Sequence, residues 1–543
     1  MSIKKKRLDV LLFERGLAPT RSKAQAYIMA GEVLVNGERV DKAGTKFTDD
    51  VEIRVKNRPQ FVSRGGEKLA GALSDFEYNP SGLICADVGA STGGFTDCLL
   101  QNDAKRVYAI DVGYGQLAYK LRADERAALL MRWHDLILEA KPDLARLMVM
   151  EQGKPLADAL GEIDYGASFI RWFAEEARRC YGETIPSHIP DAQLSTVREP
   201  IGVAALITPW NFPNAMVTRK AAAALAIGCP VLIKPASETP FSALALAELA
   251  DRAGFPAGVF NVVTGDAVMI SQTLCHSDKV KALSFTGSTR VGKLLLRDAA
   301  QTVKKCSMEL GGNAPFIVLP DMEIAQAAQA AVAAKFQTAG QDCLAANRIF
   351  VPQEKYEPFL EAFTHEMKQF VLGNGMEPHT TMGPLINQAA VDKAHDLVRD
   401  ALDNGARLVA GYHTSVPGGN FFAPTLLADV TPEMAVYREE NFCPVAGVLP
   451  YKDLASVIEM SNDTEYGLAA YVYGHDIHQI WQCMRGLEFG MVSVNSVKMT
   501  GHPIPFGGVK QSGLGREGSR HGFDEYSEIK YCCLGALPTV TGS

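Results

Sequence analysis

The chain carries a thiol and a carboxylate in runs that could act on one carbon. Cys343 ends Phe336-Gln337-Thr338-Ala339-Gly340-Gln341-Asp342-Cys343, and Glu309 lies thirty-four residues earlier in Met308-Glu309-Leu310-Gly311-Gly312-Asn313. A cysteine becomes a nucleophile when a base or polar donors favour its thiolate, and a carboxylate can later activate water against the covalent product. Two further runs suit a phosphorylated ligand. Val231-Leu232-Ile233-Lys234 reads as a buried strand with a lysine at its C-terminal end, where open α/β sheets bind ligands. Phe285-Thr286-Gly287-Ser288-Thr289-Arg290-Val291-Gly292 follows a strand and opens a helix, and glycines at a helix N-terminus suit a pyrophosphate. Each residue alone has a plainer reading. Cys343 is one cysteine of eleven, Lys234 could snorkel, and Asn211, in the proline-shaped loop Thr208-Pro209-Trp210-Asn211-Phe212-Pro213, could bond its own backbone.

Taken together, in this order and spacing, these runs resemble the aldehyde dehydrogenase superfamily. The resemblance implies that Cys343 attacks an aldehyde, that Asn211 and the Cys343 N–H hold the oxyanion, and that Glu309 activates water against the thioester. It places Lys234 on the adenosine ribose, Gly287 and Ser288 near the phosphates, and Trp210 beside the cofactor. In Glu439-Glu440-Asn441-Phe442-Cys443-Pro444 it gives Glu440 the nicotinamide ribose, while Cys443 replaces the usual glycine and is read as structural. Ser237 stands where many NAD-preferring members carry glutamate; a serine does not repel a 2′-phosphate, so NADP is expected to be accepted, alongside NAD.

The subfamily most resembled is that of succinate-semialdehyde dehydrogenases, through Met216-Val217-Thr218-Arg219-Lys220, Pro240-Phe241-Ser242-Ala243-Leu244 and the run Pro505 to Glu517. Arg219 matches one arginine that grips the substrate carboxylate, and a guanidinium suits a carboxylate. Three positions depart from the pattern. The second substrate arginine falls at Gln337, the helper serine falls at about Gly501 beside Thr500, and Asp342 puts an anion next to the nucleophile. A longer semialdehyde such as glutarate semialdehyde, or a less charged aldehyde, therefore stays open.

The match begins near Arg126 and lacks the family's opening sixty or so residues, a surface strand pair and an early helix. The stretch between Gln116 and Lys141 holds no Gly or Pro, and Leu117, Leu121, Ala128, Leu129, Trp133, Leu136 and Ile137 roughly follow helical spacing, so an unbroken helix is expected across most of it. The expected divisions are an NAD(P)-binding domain over 126–311, with an arm strand over 183–197, a catalytic domain over 312–515, and a C-terminal oligomerisation segment over 516–543 with a strand over 527–537.

The first 125 residues read differently. Residues 1–70 hold fifteen Lys and Arg against nine Asp and Glu, on a chain of net charge −8, so a basic head precedes an acidic body. Arg7 to Leu12 and Thr20 to Ala26 read as helices, and Val33 to Val40 as a hairpin turning at Asn36-Gly37. Residues 1–60 resemble the small RNA-binding domain named after ribosomal small-subunit protein four, which implies that Arg21 and Lys23 touch RNA phosphates. Residues 61–125 resemble hemolysin-type ribosomal RNA ribose methyltransferases, which would put Asp87, Gly89, Gly93 and Asp111 on S-adenosylmethionine and make Lys68 a catalytic lysine. That resemblance stops near Lys120 to Asp124, short of the family's remaining catalytic residues. Neither methyl transfer nor S-adenosylmethionine binding is expected of this truncated Rossmann-like fragment.

The fold class is thus α/β: a small α+β RNA-binding head, a truncated Rossmann-like piece, then the aldehyde dehydrogenase fold with coenzyme domain, catalytic domain and arm. No apolar run of the 543 residues approaches a membrane span, and Met-Ser-Ile-Lys-Lys-Lys leads into no apolar signal core, so a cytoplasmic enzyme is expected. The cysteines are scattered, with no Cys-x-x-Cys pair, which points to reduced thiols and to no metal site. The expected partners are a small aldehyde, RNA through the head, and further copies of the chain. The rival readings are an RNA-binding module and a fusion without activity.

Overall fold

The computed structural model describes residues 6–15, 17, 21–29, 31–55, 64–76, 78–88, 94–110 and 123–535. The chain divides into two compact units, Met1–Gly113 and Tyr114–Ser543.

In the first unit, helices Leu8–Glu14 and Arg21–Met29 pack on a three-stranded antiparallel sheet of Glu38–Arg39, Val33–Val35 and Ile53–Val55. Leu8, Leu12, Ala24, Ile28, Val33 and Val35 form its core. The hairpin turns at Asn36 and Gly37, both with positive φ (49° and 87°), the backbone that a two-residue primed turn requires. Strands Ile84–Val88 and Arg106–Ile110 pair in parallel, flanked by helices Arg64–Asp75 and Gly94–Gln101. The first of these helices has no counterpart in the sequence reading. Its Gly65-Gly66 start obscures it, but Leu69, Ala72 and Leu73 recur at helical spacing and are partly buried. Lys68 is exposed on it, Asp87 lies on the strand Ile84–Val88, and Gly89, Gly93 and Asp111 fall outside the described residues.

The second unit is built on two sheets. One has six strands in the order Phe260–Val262, Val231–Lys234, Val203–Ile207, Val280–Thr286, Lys305–Glu309, Gly513–Leu514, parallel except for the last pair. The other has seven, parallel except at its Arg407–Ala410 edge. Sheets covered on both faces need unbroken apolar strands, and Val-Ala-Ala-Leu-Ile (203–207) and Ala-Pro-Phe-Ile-Val (314–318) supply them. Helix Ala215–Ile227 is buried on every side and is accordingly rich in alanine.

Helix Ala123–Glu139 covers most of the described part of the stretch expected to be helical and breaks at Ala140; residues 111–122 lie outside the described residues. Trp133 pins it to the body, fully buried, with Nε1 donating to the Leu246 carbonyl at 3.0 Å. A second helix, Lys141–Gln152, follows, with Pro142 in its first turn, where a missing N–H does no harm. The arm is two strands rather than one. Thr184–Ile185 and Gln193–Pro200 are separated by a segment holding Pro186 and Pro190, which cannot donate to a ladder, and Ser527–Leu534 pairs with the longer one. Among the described residues no helix is long and apolar enough to cross a membrane.

Candidate active site

Cys343 follows a turn of three successive left-handed residues. Thr338, Ala339 and Gly340 have φ of 49°, 55° and 72°. Two of these carry a Cβ, so the backbone is strained and must be held by its surroundings. A side chain at Gly340 would meet the Cys443 carbonyl oxygen at 2.4 Å, so the close approach of these two segments demands glycine. Gln341 anchors the turn: its Oε1 accepts from Ile386 N–H at 2.9 Å, and its carbonyl accepts from Asn211 Nδ2 at 3.1 Å.

Asn211 is held in turn by a buried ion pair. Its carbonyl accepts from Lys154 Nζ at 2.8 Å, and Lys154 pairs with Glu162, both side chains being almost wholly buried. Glu162 Oε1 accepts from the Asn214 and Ala215 N–H groups at 2.9 and 3.1 Å, at the start of helix Ala215–Ile227, where an anion is favoured. Lys154 also lies 4.1 Å from the centre of the Phe212 ring.

A cavity of about 1030 Å³ opens in front of Cys343. Asn211, Trp210, Gly287, Ser288 and Glu440 share its wall with Cys343; so do Arg219 and Gln337. Three residues absent from the sequence assignment also line it: Tyr165, Lys154 and Phe506. Thr500 does too, so the loop position beside Gly501 does present a hydroxyl. Two of the coenzyme-binding candidates lie elsewhere. Lys234 ends its strand and is buried, which lowers its pKa, with Glu238 and Asp266 acting in the opposite sense. Ser237 is exposed in the loop beyond it.

Glu309 stands apart from this wall. It ends the strand Lys305–Glu309, is 2 % exposed, and neither carboxylate oxygen has a hydrogen-bond partner. Burial, then the nearby Glu517, pushes its pKa well above the carboxylate range, against the opposing pull of Arg219, Lys220 and Arg516. To reach a cavity ligand its side chain must turn.

Burial likewise pushes the Cys343 thiol well above its ordinary value, and Asp342 and Glu440 add to the effect. Glu440 is itself pushed up to about 7 by burial, against the Gly312 N–H that donates to its Oε1 at 2.9 Å. Arg219 keeps its charge despite burial because Glu517 pairs with its Nε, although Lys220 shares the same carboxylate. Its guanidinium lies 4.2 Å from the Phe506 ring centre. Ser288 Oγ accepts from Val291 N–H at 3.4 Å and so caps the helix Thr289–Ala299, which opens at the cavity. A capped helix N-terminus, the Glu440 carboxylate and a lysine on the same sheet are a donor and acceptor set that fits a nicotinamide dinucleotide.

Nothing in the local sequence marks Lys154 and Glu162 as a pair. Glu517 meets Arg219 across 298 residues, which only the folded chain reveals.

A cysteine on a strained turn, an amide bonded to that turn and a large cavity lined by both point to an aldehyde-oxidising class. The aldehyde dehydrogenase family model matches residues 113–532, and the chain belongs to that family, which uses NAD or NADP. An aspartate-semialdehyde dehydrogenase (non-phosphorylating) of Halomonas elongata is 66% identical over 78% of this chain and 86% of its own length. A succinate-semialdehyde dehydrogenase [NADP(+)] of Escherichia coli (strain K12) is 52% identical over 76% and 86%. The crystal structure of an E. coli NADP-dependent enzyme superposes with a TM-score of 0.76, at 52% identity, over 77% of this chain and 87% of that one. The S4 domain model matches residues 6–53, within the first unit, and the FtsJ-like methyltransferase model matches residues 61–150, running past its end. The last match overlaps the dehydrogenase match over 113–150, where the described residues fold against helices Leu156–Glu176 and Pro240–Ala253 of the second unit.

In the head, Arg21 Nη2 lies 3.1 Å from Asp9, a fully buried carboxylate that Arg7 and Gln25 also bond. Its guanidinium is therefore tied to the fold while remaining about half exposed. The Lys23 side chain lies outside the described residues.

Proposed function

We propose that the protein oxidises a short semialdehyde bearing a terminal carboxylate, such as succinate semialdehyde, to the acid through a thioester on Cys343. The observation that carries this reading is that Cys343, Asn211 and Arg219 line one cavity. Cys343 Sγ gives its proton to solvent in the cavity and bonds to the aldehyde carbon, and the carbonyl π pair moves onto the oxygen. The oxyanion that forms is held by Asn211 Nδ2, released from the Gln341 carbonyl, and by the Cys343 N–H. A bound nicotinamide coenzyme supplies the hydride acceptor that the oxidation needs, with Ser288, Gly287, Glu440, Trp210 and Lys234 as its holding residues. Glu309, turned into the cavity and deprotonated there, takes a proton from the water that cleaves the thioester. Arg219 holds the substrate carboxylate, and Gln337 and Thr500 offer neutral polar groups near it.

Relatives named for aspartate and succinate semialdehydes support a carboxylated substrate, and the exposed Ser237 supports acceptance of NADP beside NAD. The exposed Ile529, Tyr531 and Leu534 of the arm support assembly of copies through that strand. The test is a panel of short aldehydes with and without a terminal carboxylate, read by reduction of NADP and NAD. Equal kcat/KM across the panel would remove the semialdehyde reading.

A second activity is proposed for the head, supported by the S4 match and by its basic charge. RNA should bind the full chain with a steep salt dependence, weakened by Lys23→Gln. Lys23 is the better probe, since neutralising Arg21 also strips a partner from buried Asp9. We propose no methyl transfer for the fragment after it, a reading supported by residues 123–150, the end of the methyltransferase match, being taken up as helices packed within the second unit. Methylation of ribosomal RNA by the purified chain would refute that reading.

A further inference from the structure

Four cations line the cavity in front of Cys343: Lys154, Arg219, Lys393 and Lys498. Three have partners within the protein: Lys154 pairs with Glu162, Arg219 shares Glu517 with Lys220, and Lys393 Nζ donates to the Glu440 carbonyl at 2.6 Å. Lys498 Nζ makes no ion pair or hydrogen bond among the described residues.

An exposed lysine is ordinarily just solvated, but this one stands on a fixed base. It belongs to the segment after strand Met491–Val494. Asn495, at a left-handed φ of 53°, clamps the start of that segment: Oδ1 accepts from Gly474 N–H at 3.0 Å, and Nδ2 donates to the Gly474 carbonyl at 2.8 Å. Ser493 Oγ donates to the Ser496 carbonyl at 2.7 Å. Side chains then alternate. Val497 and Met499 pack against the core, while Lys498 and Thr500 are exposed and line the cavity.

Thr500 shows which end of the cavity this is. The Tyr165 phenol makes polar interactions with both Thr500 and Arg219, so Thr500 and the guanidinium lie close together. Lys498 is two residues from Thr500, at most about 7 Å along the backbone, and a four-carbon stem ending in three donors covers that distance. Gln337, also exposed on the wall, brings no charge.

We propose that Lys498 is a binding residue for the terminal carboxylate of the substrate, which it meets from the loop while Arg219 holds it from the buried side. The inference rests on the semialdehyde reading above and deepens it. Arg219 is already bonded to Glu517, whereas the ammonium of Lys498 has no protein anion to answer it, so a substrate carboxylate can take up its charge.

The test uses the full-length enzyme and compares kcat/KM for succinate semialdehyde with that for butanal, the same chain length without the carboxylate. Wild type, Lys498→Gln and Lys498→Arg are compared, with the KM for NADP measured in parallel. A charge-assisted hydrogen bond in a cavity open to water corresponds to about tenfold in the ratio of acid to uncharged aldehyde. Lys498→Gln should lower the ratio by that factor, mainly through KM, and Lys498→Arg should keep most of it. A general loss of activity cancels in the ratio. Added salt should lower the ratio more steeply in the wild type than in Lys498→Gln. The inference is overturned, and the semialdehyde reading stands, on any of three results: a wild-type preference for the acid that Lys498→Gln leaves alone, a loss in Lys498→Arg as large as in Lys498→Gln, or a rise in the KM for NADP in place of that for the acid. A wild type with no preference for the acid would overturn both.

Discussion

The ion pair behind Asn211 offers a quantitative test of how the site is held. Lys154 and Glu162 have side chains 0 % and 1 % exposed, so neither charge has water to fall back on. Lys154→Met leaves Glu162 with two backbone N–H donors but no cation. Breaking one side of a buried pair destabilises by about 3–5 kcal/mol. Replacing both partners, as in Lys154→Met/Glu162→Gln, removes the uncompensated charge and keeps an acceptor for the Asn214 and Ala215 amides. It should regain most of that loss. Catalysis should follow a different order. Lys154 Nζ fixes the Asn211 carbonyl, so both the single and the double variant free the loop that carries the oxyanion donor. A displacement of about 1 Å there corresponds to roughly 10²-fold in rate. The assays are thermal inactivation of the dehydrogenase activity, compared by rank because a chain of two units does not unfold in one step, and kcat of each variant before heating. The reasoning fails if Lys154→Met is as heat-resistant as the wild type, or if the double variant is no more stable than the single one.

Other perturbations have definite signs. Asn211→Ala should lower kcat by about 10²–10³-fold with little change in coenzyme affinity, measured by steady-state reduction of coenzyme. Glu309 has a raised pKa in the folded chain, so the native state holds its proton at a pH where the unfolded chain has lost it. Wild-type stability therefore falls as pH rises from the ordinary carboxylate range through that raised value, and Glu309→Gln should be the more heat-stable protein by a margin that grows with pH. A margin constant across pH would contradict the assignment. Ser237→Glu should lower kcat/KM for NADP relative to NAD by at least about tenfold through like-charge repulsion, read from paired coenzyme titrations.

The readability of the sequence was uneven for physical reasons. Local signals survived folding: Asn36-Gly37 is the hairpin turn, Val231–Lys234 is a strand, and Ser288 caps the helix after Val280–Thr286. These depend on backbone conformation and near neighbours, which short motifs encode. The helix Arg64–Asp75 was obscured because a glycine pair stands in its first turn, where propensity argues against helix while packing of Leu69 and Leu73 argues for it. The single arm strand expected over 183–197 is split because Pro186 and Pro190 cannot donate to a ladder. Within the site, the run around Cys343 marked the nucleophile, but its strained turn depends on Cys443, a hundred residues on in the sequence, whose carbonyl leaves no room at Gly340. The Lys154–Glu162 and Arg219–Glu517 pairs join residues through space, and the withdrawn position of Glu309 is a matter of rotamer and packing. No spacing rule carries that information.

The most direct test of the account is a single turnover. Glu309→Gln, mixed with a carboxylated semialdehyde and excess NADP, should release one reduced coenzyme per active site in a rapid burst and then stall. Peptide mass analysis should find the acyl group on Cys343. A burst with the acyl group on another residue, or steady turnover with no covalent adduct, would contradict the claim that Cys343 is the nucleophile and that Glu309 is needed to release it.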